Sequence, residues 1–418
     1  MRNPSASARK SVERDDKSLL ATPVVNWLLN VGWSAPDSAT VIEKLADRMV
    51  AEEIPLSRLL VFIRSLHPQV AGVRYTWNHE SGEVESWPVP HKMLETETYR
   101  NSPMSAIAEG KARVIRRRLD TSHPVLDYPI LKDLLAADAT DYVAMPLLFS
   151  NGEIHVISFV TDRPGGFTDV ELDGMSALVV VLARLLEVHT VRRTSKTLFD
   201  TYLGKHTGER VLRGLVRRGD GEDIHAVIWF CDLRDSTLMA DSTPRTAFLG
   251  ILNNFFDSVA GAVLSHGGEV LRYIGDSVLA IFPTGASSCG VRRECCDTVT
   301  ACHGALGAVR DAQARMKVLN KSRAQRGKPA LRYGLALHMG DLTYGNIGIP
   351  ERLEFTVIGA AANEAARMEE LCKTLDQPVV ISSEFRRCFP GELVSLGVHE
   401  LRGVASPKEI FTLPSGEG

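Results

Sequence analysis

The stretch that decides the fold of the second half of the chain is HAVIWFCDLRDST, residues 225–237. Its apolar run from Ala226 to Cys231 has the length and composition of a strand that is buried on both faces. Such a strand needs neighbours on both sides and helices that cover the sheet. Asp232 follows the run directly, so we expect its carboxylate at the end of a buried strand.

A second acidic residue stands at the tip of a predicted hairpin. The segment GGEVLRYIGDSVLAIF, residues 267–282, contains two strand-like runs joined at Gly275 and Asp276. Hard divalent cations prefer oxygen ligands, and two aspartates on neighbouring strand ends, with the backbone carbonyl of Leu233, can hold a pair of Mg²⁺ ions. Taken singly, Asp232 also suits a helix cap and Asp276 a turn.

Four motifs in a fixed order place these aspartates in a wider pattern. They are FCDLRDST (230–237), RYIGDSVLAIF (272–282), LRYGLALHMGDLTYGNIG (331–348) and FTVIGAAANEAARMEEL (355–371). Together they resemble the catalytic domain of class III adenylate and guanylate cyclases over roughly residues 223–415. The resemblance implies a ferredoxin-like domain that closes ATP into 3',5'-cyclic AMP with release of pyrophosphate. It also implies two Mg²⁺ ions per site at Asp232, Asp276 and the Leu233 carbonyl, with Mn²⁺ as a substitute.

The fourth motif predicts a helix with two functional side chains on one face. Asn363 and Arg367 are separated by four positions, which places them one helical turn apart. The resemblance implies that they orient the ribose and neutralise charge on the phosphorus under attack, and phosphoryl transfer depends on such positioning and charge stabilisation. Outside this motif, they would be interpreted as a surface amide and a salt-bridged helix charge.

Base recognition departs from the commonest pattern of the family. Adenylate cyclases usually have a lysine at the position of Arg272, and Thr356 resembles the base-reading threonine of some bacterial members. Guanylate cyclases tend to carry glutamate and cysteine at these two positions. A guanidinium can donate to adenine N1 or to guanine O6, and a hydroxyl can donate or accept. ATP is the favoured substrate and GTP the alternative. Arg272 could instead be an ordinary charged residue on the solvent face of a strand, without a role in base recognition.

Two further residues complete the predicted nucleotide site. The segment HELRGVASPKEIFTL, residues 399–413, resembles the last hairpin of the family, where a lysine often meets the terminal phosphates. Arg402 occupies that place, although it also fits an ordinary exposed arginine. Phe230 either borders the base pocket or belongs to the core. The family assembles its sites between two protomers, so the resemblance implies a homodimer.

The N-terminal half has the pattern of an antiparallel sheet flanked by helices. We expect two helices between Ala39 and Ile63, separated near Pro55, then a hairpin, three further strands and a long helix that opens on TDVE at 168–171. The segments AEGKARVI (108–115), AMPLLFSNGEIHVISFV (144–160) and GGFTDVELDGMSALVVVLARLLE (165–187) resemble a GAF-type sensory domain. This implies either a sensor of an unidentified small ligand or of redox state, or a dimerisation scaffold.

No sensor-site residue is assigned within that domain. His67, His91, His123 and Trp77 are candidates for lining a pocket. Isolated histidines, however, are more often surface or hydrogen-bonded core residues.

Length and composition agree with two α+β domains. The chain has 418 residues, which exceeds one ordinary core. We divide it into a flexible tail and lead-in (1–35), a GAF-like domain with an antiparallel sheet and flanking helices (36–190), a helical signalling linker (191–222) and the catalytic domain (223–418).

Charge and apolar patterning argue against several classes of partner. The formal net charge of -3 gives no reason to expect a nucleic-acid polymer. The apolar stretch from Ala177 to Val188 is broken by Arg184 and is shorter than the roughly 20 residues that span a bilayer, so we expect no membrane anchor. The polar N-terminus lacks the apolar segment of a secretory signal. Seven cysteines without metal-site spacing suggest reduced thiols and a cytoplasmic protein, although the adjacent Cys295 and Cys296 also suit a redox role.

Overall fold

The computed structural model describes residues 23–284, 290–404 and 406–414, without the side chains of 290–296. The chain divides into two compact units after Leu198. The predicted tail up to residue 22 and the side chains of Cys289, Cys295 and Cys296 lie outside the described part. The other four cysteines, Cys231, Cys302, Cys372 and Cys388, are free thiols.

The N-terminal unit is built on a six-stranded antiparallel sheet. Its strands have the order β3-β2-β1-β6-β5-β4. Their bounds are β1 Arg58–Arg64, β2 Val70–Asn78, β3 Val84–Pro90, β4 Ile115–Arg118, β5 Asp141–Leu148 and β6 Ile154–Thr161. The predicted hairpin is β2–β3, and β5 and β6 are joined at Asn151 and Gly152, as their turn chemistry indicates.

Helices cover both faces of this sheet. They are α1 Pro23–Asn30, α2 Ser38–Ala51, α3 Glu97–Arg100, α4 Pro103–Ala108, α5 Pro129–Ala136 and α6 Asp169–Leu203, and short 3₁₀ turns occupy Gly32–Ser34 and His91–Glu95. The predicted capping box opens α6, because Thr168 Oγ1 accepts the N–H of Glu171 at 3.3 Å and Glu171 Oε2 accepts the N–H of Thr168 at 2.7 Å. Apolar residues of α1, α2 and α6 form the main core with one face of the sheet, and α4 and α5 form a second core on the other face.

One predicted helix of this unit is wrong. The segment between Leu56 and Ile63 was expected to be helical, but it forms strand β1, which pairs with β2 on one side and β6 on the other. Its apolar residues fit a helical spacing as well as a buried strand, and short apolar runs do not distinguish the two. Hydrogen bonding to two neighbouring strands decides the outcome.

The second unit contains an eight-stranded sheet. Strands β13-β14-β12-β10-β7-β9-β8 follow one another in space, and β11 pairs with β10. Their bounds are β7 Gly221–Leu233, β8 Glu269–Ile274, β9 Ser277–Pro283, β10 Tyr333–Ile349, β11 Arg352–Ile358, β12 Val379–Ser382, β13 Val394–His399 and β14 Lys408–Thr412. The helices are α7 Lys205–Leu212, α8 Ser236–Ser242, α9 Arg245–Ser265, α10 Gly290–Gln325, α11 Ala360–Thr374 and α12 Ser383–Cys388.

The central part of this sheet has the connectivity of a ferredoxin-like βαββαβ unit. Strand β7, helix α9, strands β8 and β9, helix α10 and strand β10 follow in sequence, and the strands stand in the antiparallel order β10-β7-β9-β8. The mixed α+β class predicted from the sequence is confirmed.

Strand β7 is buried on both faces, as its composition predicts. Val227, Trp229 and Cys231 pack into the core beneath α9 and α10, whereas Ala226 and Ile228 pack into a second cluster with residues of α11. Burying an aliphatic or aromatic side chain of this size stabilises the fold by roughly 1.5–3 kcal/mol. The strand is therefore held in the core from Ala226 onwards, and this buried part positions Asp232 next to its last residue, Leu233.

In the part of the chain that the structure describes, two helices are long and apolar enough, by length and composition alone, to cross a membrane. They are α6 and α9. Buried residues of each helix, such as Leu182 of α6 and Phe255 of α9, pack into the core of its own unit. The expectation that the chain has no membrane anchor stays a prediction.

The segment predicted as a linker is mainly helical. Helix α6 continues to Leu203, Gly204 interrupts it with a positive φ of 87°, and α7 follows. Strand β7 begins at Gly221, two residues before the predicted start of the catalytic domain.

Candidate active site

The two predicted metal ligands come from adjacent strand ends. Asp232 lies in β7 opposite Ser277, the first residue of β9. Ser277 Oγ donates a hydrogen bond to Asp232 Oδ1 at 2.6 Å. Asp276 directly precedes Ser277 in the two-residue turn that joins β8 and β9, where Gly275 has a φ of 64° that favours glycine. Both carboxylates are half-buried.

The electrostatics of this pair favour a bound cation. Burial raises the pKa of Asp232, and the neighbouring charge of Asp276 raises it further, while the Ser277 hydrogen bond and Arg234 oppose the shift. A divalent cation would offset the repulsion between the carboxylates, and the buried Leu233 supplies a carbonyl next in sequence. No cluster of three or more His, Cys, Asp or Glu side chains suited to a metal occurs in the described part of the chain. The donor set fits Mg²⁺ or Mn²⁺ if substrate oxygens and water complete the shell.

A polar cavity of about 640 Å³ opens beside Asp232. Asp232 and Leu233 line it, together with three cationic side chains that the motifs did not single out: Arg234, Arg332 and Lys373. Arg332 Nη2 donates to Asp235 Oδ2 at 2.7 Å. Arg332 directly precedes β10, and the first residue of β10, Tyr333, pairs with Leu233 of β7. Arg332 therefore lies near Asp232 because of strand pairing, not because of their spacing in the sequence. Asp235 and Asp376 also line the cavity, so cations and carboxylates are equally numerous in its wall. Arg234 and Arg332 are each paired with a carboxylate, which leaves Lys373 as the cationic side chain of this wall that forms no salt bridge in the described part of the chain.

The sequence interpretation also missed the ion pair between Arg234 and Glu369. Arg234 Nη2 lies 2.6 Å from Glu369 Oε1 and donates to the Glu369 carbonyl at 3.1 Å. Glu369 is only 4% exposed, and burial, aided by Asp232 and opposed by Arg234, raises its pKa to about 7. Because Glu369 belongs to α11, the pair ties the turn after β7 to that helix.

Gly334 makes room for this pair. It lies opposite Asp232 in the β7–β10 pairing. A Cβ atom at this position would lie 2.1 Å from Glu369 Oε1 and 2.2 Å from Arg234 Nη2. A larger residue would force both side chains to move.

Asn363 and Arg367 lie on α11, as predicted, but they do not line the cavity beside Asp232. Asn363 is exposed and Arg367 is half-buried. Arg367 Nη1 donates to Glu370 Oε1 at 2.7 Å, an exposed pair on the helix surface. A single chain therefore does not bring these side chains into the cavity that contains Asp232.

The predicted base-reading residues lie on neighbouring strands. Arg272 on β8 forms an ion pair with Glu354 on β11. Thr356, two residues further along β11, is 4% exposed. Phe230 is half-buried and packs in the same apolar cluster as Phe355 and Val357, which flank Thr356. These three candidates thus belong to the region where β7, β8 and β11 meet, although Arg272 is engaged by Glu354.

Arg402 lies in the exposed connection between β13 and β14. The two strands pair in antiparallel fashion, so the predicted C-terminal hairpin exists. The nearby Lys408 contacts Glu384 and lies 3.4 Å from Glu364, and it is therefore held by carboxylates. Of these two cations, Arg402 is therefore the one that stays predicted to bind the phosphates of the nucleotide.

Comparison with known proteins finds similarity in part of the chain. No model of a known protein family matches. An uncharacterized protein of Mycobacterium tuberculosis (strain CDC 1551 / Oshkosh) is 30% identical over 226 residues, 52% of this chain and 37% of that protein. The adenylate cyclase of Anabaena cylindrica is 29% identical over 163 residues, 38% of this chain and 30% of that enzyme. The chain spans less than two fifths of the length of these relatives.

Solved structures of nucleotide cyclases are also similar to part of the chain. The adenylyl cyclase CyaB from P. aeruginosa is 22% identical, with a TM-score of 0.40, over 47% of this chain and 96% of that chain. The guanylyl cyclase Cya2 is 22% identical, with a TM-score of 0.39, over 47% of this chain and 96% of that chain.

Proposed function

We propose that this protein is a nucleotide cyclase that converts ATP into 3',5'-cyclic AMP and pyrophosphate. The observation that carries the proposal is that Asp232 lies opposite Ser277, next to Asp276, beside a polar cavity lined by both carboxylates and cations. Paired carboxylates at strand ends, next to room for a polyanion, suit phosphoryl transfer assisted by divalent cations. The similarity to the adenylate cyclase of Anabaena cylindrica supports the same activity.

The residues of the chain have separate roles in the proposed reaction, which is the attack of the ribose 3'-oxygen on the α-phosphorus. Asp232, Asp276 and the Leu233 carbonyl would hold two Mg²⁺ ions, which when bound lower the pKa of the hydroxyl and stabilise the leaving pyrophosphate. Asn363 orients the ribose, and Arg367 neutralises charge on the equatorial phosphate oxygens. Arg402 binds the terminal phosphates. Asp232, water or a substrate phosphate accepts the proton.

The active site is proposed to be shared between two copies of the chain. Asn363 and Arg367 do not line the cavity with Asp232 in one chain, and both reach the protein surface. A second copy can supply them to that cavity, and twofold symmetry would then create two equivalent sites. A homodimer is therefore the proposed active form.

The identity of the base is the least constrained part of the proposal. Arg272 and Thr356, with Phe230 beside them, can recognise adenine, but their donors also suit guanine. A guanylate cyclase is the alternative activity. A catalytically silent homologue that binds nucleotide for signalling is the alternative outside enzymes, although Asp232, Asp276, Asn363 and Arg367 are all present.

The N-terminal unit is proposed to be a GAF-like sensory or dimerisation domain that regulates cyclisation through α6 and α7. The proposed setting is the cytoplasm, where ATP and Mg²⁺ are available. None of the four residues suggested for a sensor pocket, His67, His91, His123 and Trp77, lines the cavity between the sheet and helices α4 and α5, and Trp77 is instead 1% exposed in the main core.

Direct assay tests the proposed activity. The purified chain is incubated with ATP or GTP and with Mg²⁺ or Mn²⁺, and cyclic nucleotide and pyrophosphate are quantified together. We expect equimolar products, with ATP preferred, and their loss in the Asp276→Asn variant. Absence of product in all four mixtures, while nucleotide still binds, would favour the silent homologue.

A further inference from the structure

A second cavity, of about 250 Å³, lies within the N-terminal unit. It lies between the sheet and the helices α3, α4 and α5, and it is partly open to solvent. Leu60, Phe62 and Trp87 form part of the sheet wall, and Met104 and Ile130 form part of the opposite wall. Most of the lining is therefore apolar, as in cavities that hold small organic molecules.

Arg58 lies at the polar end of this cavity, and one of its hydrogen-bond donors has no partner. Arg58 Nε is buried and has no hydrogen-bond partner. Burial lowers the pKa of Arg58, and the charge of Arg74, which also lines the cavity, lowers it further. Arg74 Cζ lies 5.1 Å from the centre of the Trp87 ring. In the described ranges, neither guanidinium forms a salt bridge.

Two hydroxyl groups accompany Arg58. Val160 of β6 pairs with Arg58 of β1 on one side and with Tyr142 of β5 on the other. The side chains of Arg58 and Tyr142 are therefore at the same level of the sheet. Tyr142 is 4% exposed, and Tyr142 and Ser158 both line the cavity. The cavity thus has one polar end that donates hydrogen bonds and an otherwise apolar lining.

Arg58 is half-buried, and leaving its buried Nε without a hydrogen-bond partner is unfavourable for folding. Buried charges in proteins are normally paired, and an unpaired one destabilises the native state. Asp133, the one carboxylate among the lining residues, forms no salt bridge with either arginine in the part of the chain that the structure describes. An anionic ligand would supply the missing partner.

We propose that this cavity binds a small organic acid, whose carboxylate is held by Arg58 and whose aromatic or branched aliphatic body packs against Trp87 and the apolar walls. A planar guanidinium matches a carboxylate by two parallel hydrogen bonds. The cavity is smaller than the roughly 300–1,000 Å³ of sites for drug-sized molecules, so the ligand is a compact acid. This inference is independent of the proposed cyclase activity.

Calorimetric titration of the 418-residue chain tests the proposal. The probes are phenylacetate and 4-methylpentanoate, each compared with its neutral amide. We expect saturable binding of at least one acid and binding of its amide that is weaker by about tenfold or more, because the amide lacks the charge that Arg58 pairs with. Inorganic phosphate is titrated in parallel and is expected to bind more weakly than the acid, since it lacks the apolar body.

Two variants separate recognition from folding. Arg58→Met removes the charge and keeps an apolar stem, and it should weaken binding of the acid by about tenfold or more. Its urea midpoint should equal or exceed that of the parent, because a partly buried charge without a salt-bridge partner is removed. Arg64→Met, on the same strand but exposed and outside the cavity, is the matched control and should bind as the parent does.

Four results would overturn the proposal. Three are the absence of saturable binding of both acids to the parent chain, equal binding of acid and amide, and an Arg58→Met chain that binds the acid as tightly as the parent. If inorganic phosphate bound more tightly than both acids, the site would be one for phosphate groups and the proposed ligand class would be wrong.

Discussion

Arg234 Nη2 lies 2.6 Å from the buried Glu369 Oε1, and this contact joins the turn that follows Asp232 to the helix that carries Asn363 and Arg367. In the proposed homodimer, Asp232 of one chain serves one active site, and Asn363 and Arg367 of the same chain serve the other. In that proposed dimer, the Arg234–Glu369 pair would connect the residues that one chain contributes to the two active sites.

Glu369→Ala should destabilise the second unit and reduce activity. The substitution leaves Arg234 partly buried without its carboxylate, and breaking a buried ion pair by removing one partner costs about 3–5 kcal/mol. Urea unfolding followed by circular dichroism measures the loss. The matched control is Glu370→Gln, one residue along the same helix and exposed, which should change the unfolding free energy by less than about 0.5 kcal/mol.

A double substitution distinguishes charge from packing. Arg234→Met with Glu369→Leu should recover much of the stability, because an apolar pair of similar volume often replaces a buried ion pair without loss. Stability equal to that of Glu369→Ala alone would mean that the loss does not come from leaving the Arg234 charge without its partner.

Gly334→Ala should also be destabilising, by about 1–3 kcal/mol, because its Cβ would collide with both members of the same pair. Gly250 in α9 is the matched control, since a Cβ there meets nothing within 4 Å. Gly250→Ala should be neutral or stabilise the protein by up to about 1 kcal/mol, as expected in a helix interior. Equal thermal unfolding midpoints for the two variants would contradict the crowding inferred at Gly334.

His155 makes the N-terminal unit sensitive to mild acid. Its ring is fully buried, and its Nδ1 accepts the backbone N–H of Arg64 at 3.0 Å. Burial lowers the pKa of His155 from 6.5 to about 4, against a smaller opposing effect of Glu153. Because the folded-state pKa lies below the unfolded one, the stabilisation is complete above about pH 6.5 and is lost as the pH falls towards 4.

The magnitude of this effect is up to about 3 kcal/mol over that interval. Urea unfolding at pH 7.5 and pH 5 should show about 2 kcal/mol of this loss. Tryptophan fluorescence is the probe, since four of the five tryptophans, Trp27, Trp33, Trp77 and Trp87, belong to the N-terminal unit. His155→Asn retains an acceptor but does not titrate, so its midpoint should fall less between the two pH values. An identical fall in both chains would rule out His155 as the source.

The sequence predicted the elements of this protein better than their long-range contacts. The strand before Asp232, the turn at Gly275 and Asp276 and the capping box at Thr168 rest on local chemistry, and each is present. Strand β1 was mistaken for a helix because its apolar spacing is ambiguous until β2 and β6 pair with it. Arg234 and Glu369 were missed since contacts between residues so far apart in the chain leave no periodic signal.

The arrangement of the active site is tested by mixing two inactive variants. Asp232→Ala removes a ligand from the metal side, and Arg367→Ala removes the charge on the opposite side, so each homodimer should lose at least about 10²–10³-fold in rate. In a mixed dimer, one site carries both defects and the other carries neither. Random pairing makes half of all dimers mixed, so an equimolar mixture should regain about a quarter of the parent activity. Differently tagged chains establish that mixed dimers form. If isolated mixed dimers remain inactive, Asp232 and Arg367 do not meet across the interface. The proposal of a shared site would then be wrong, even if each variant alone is inactive.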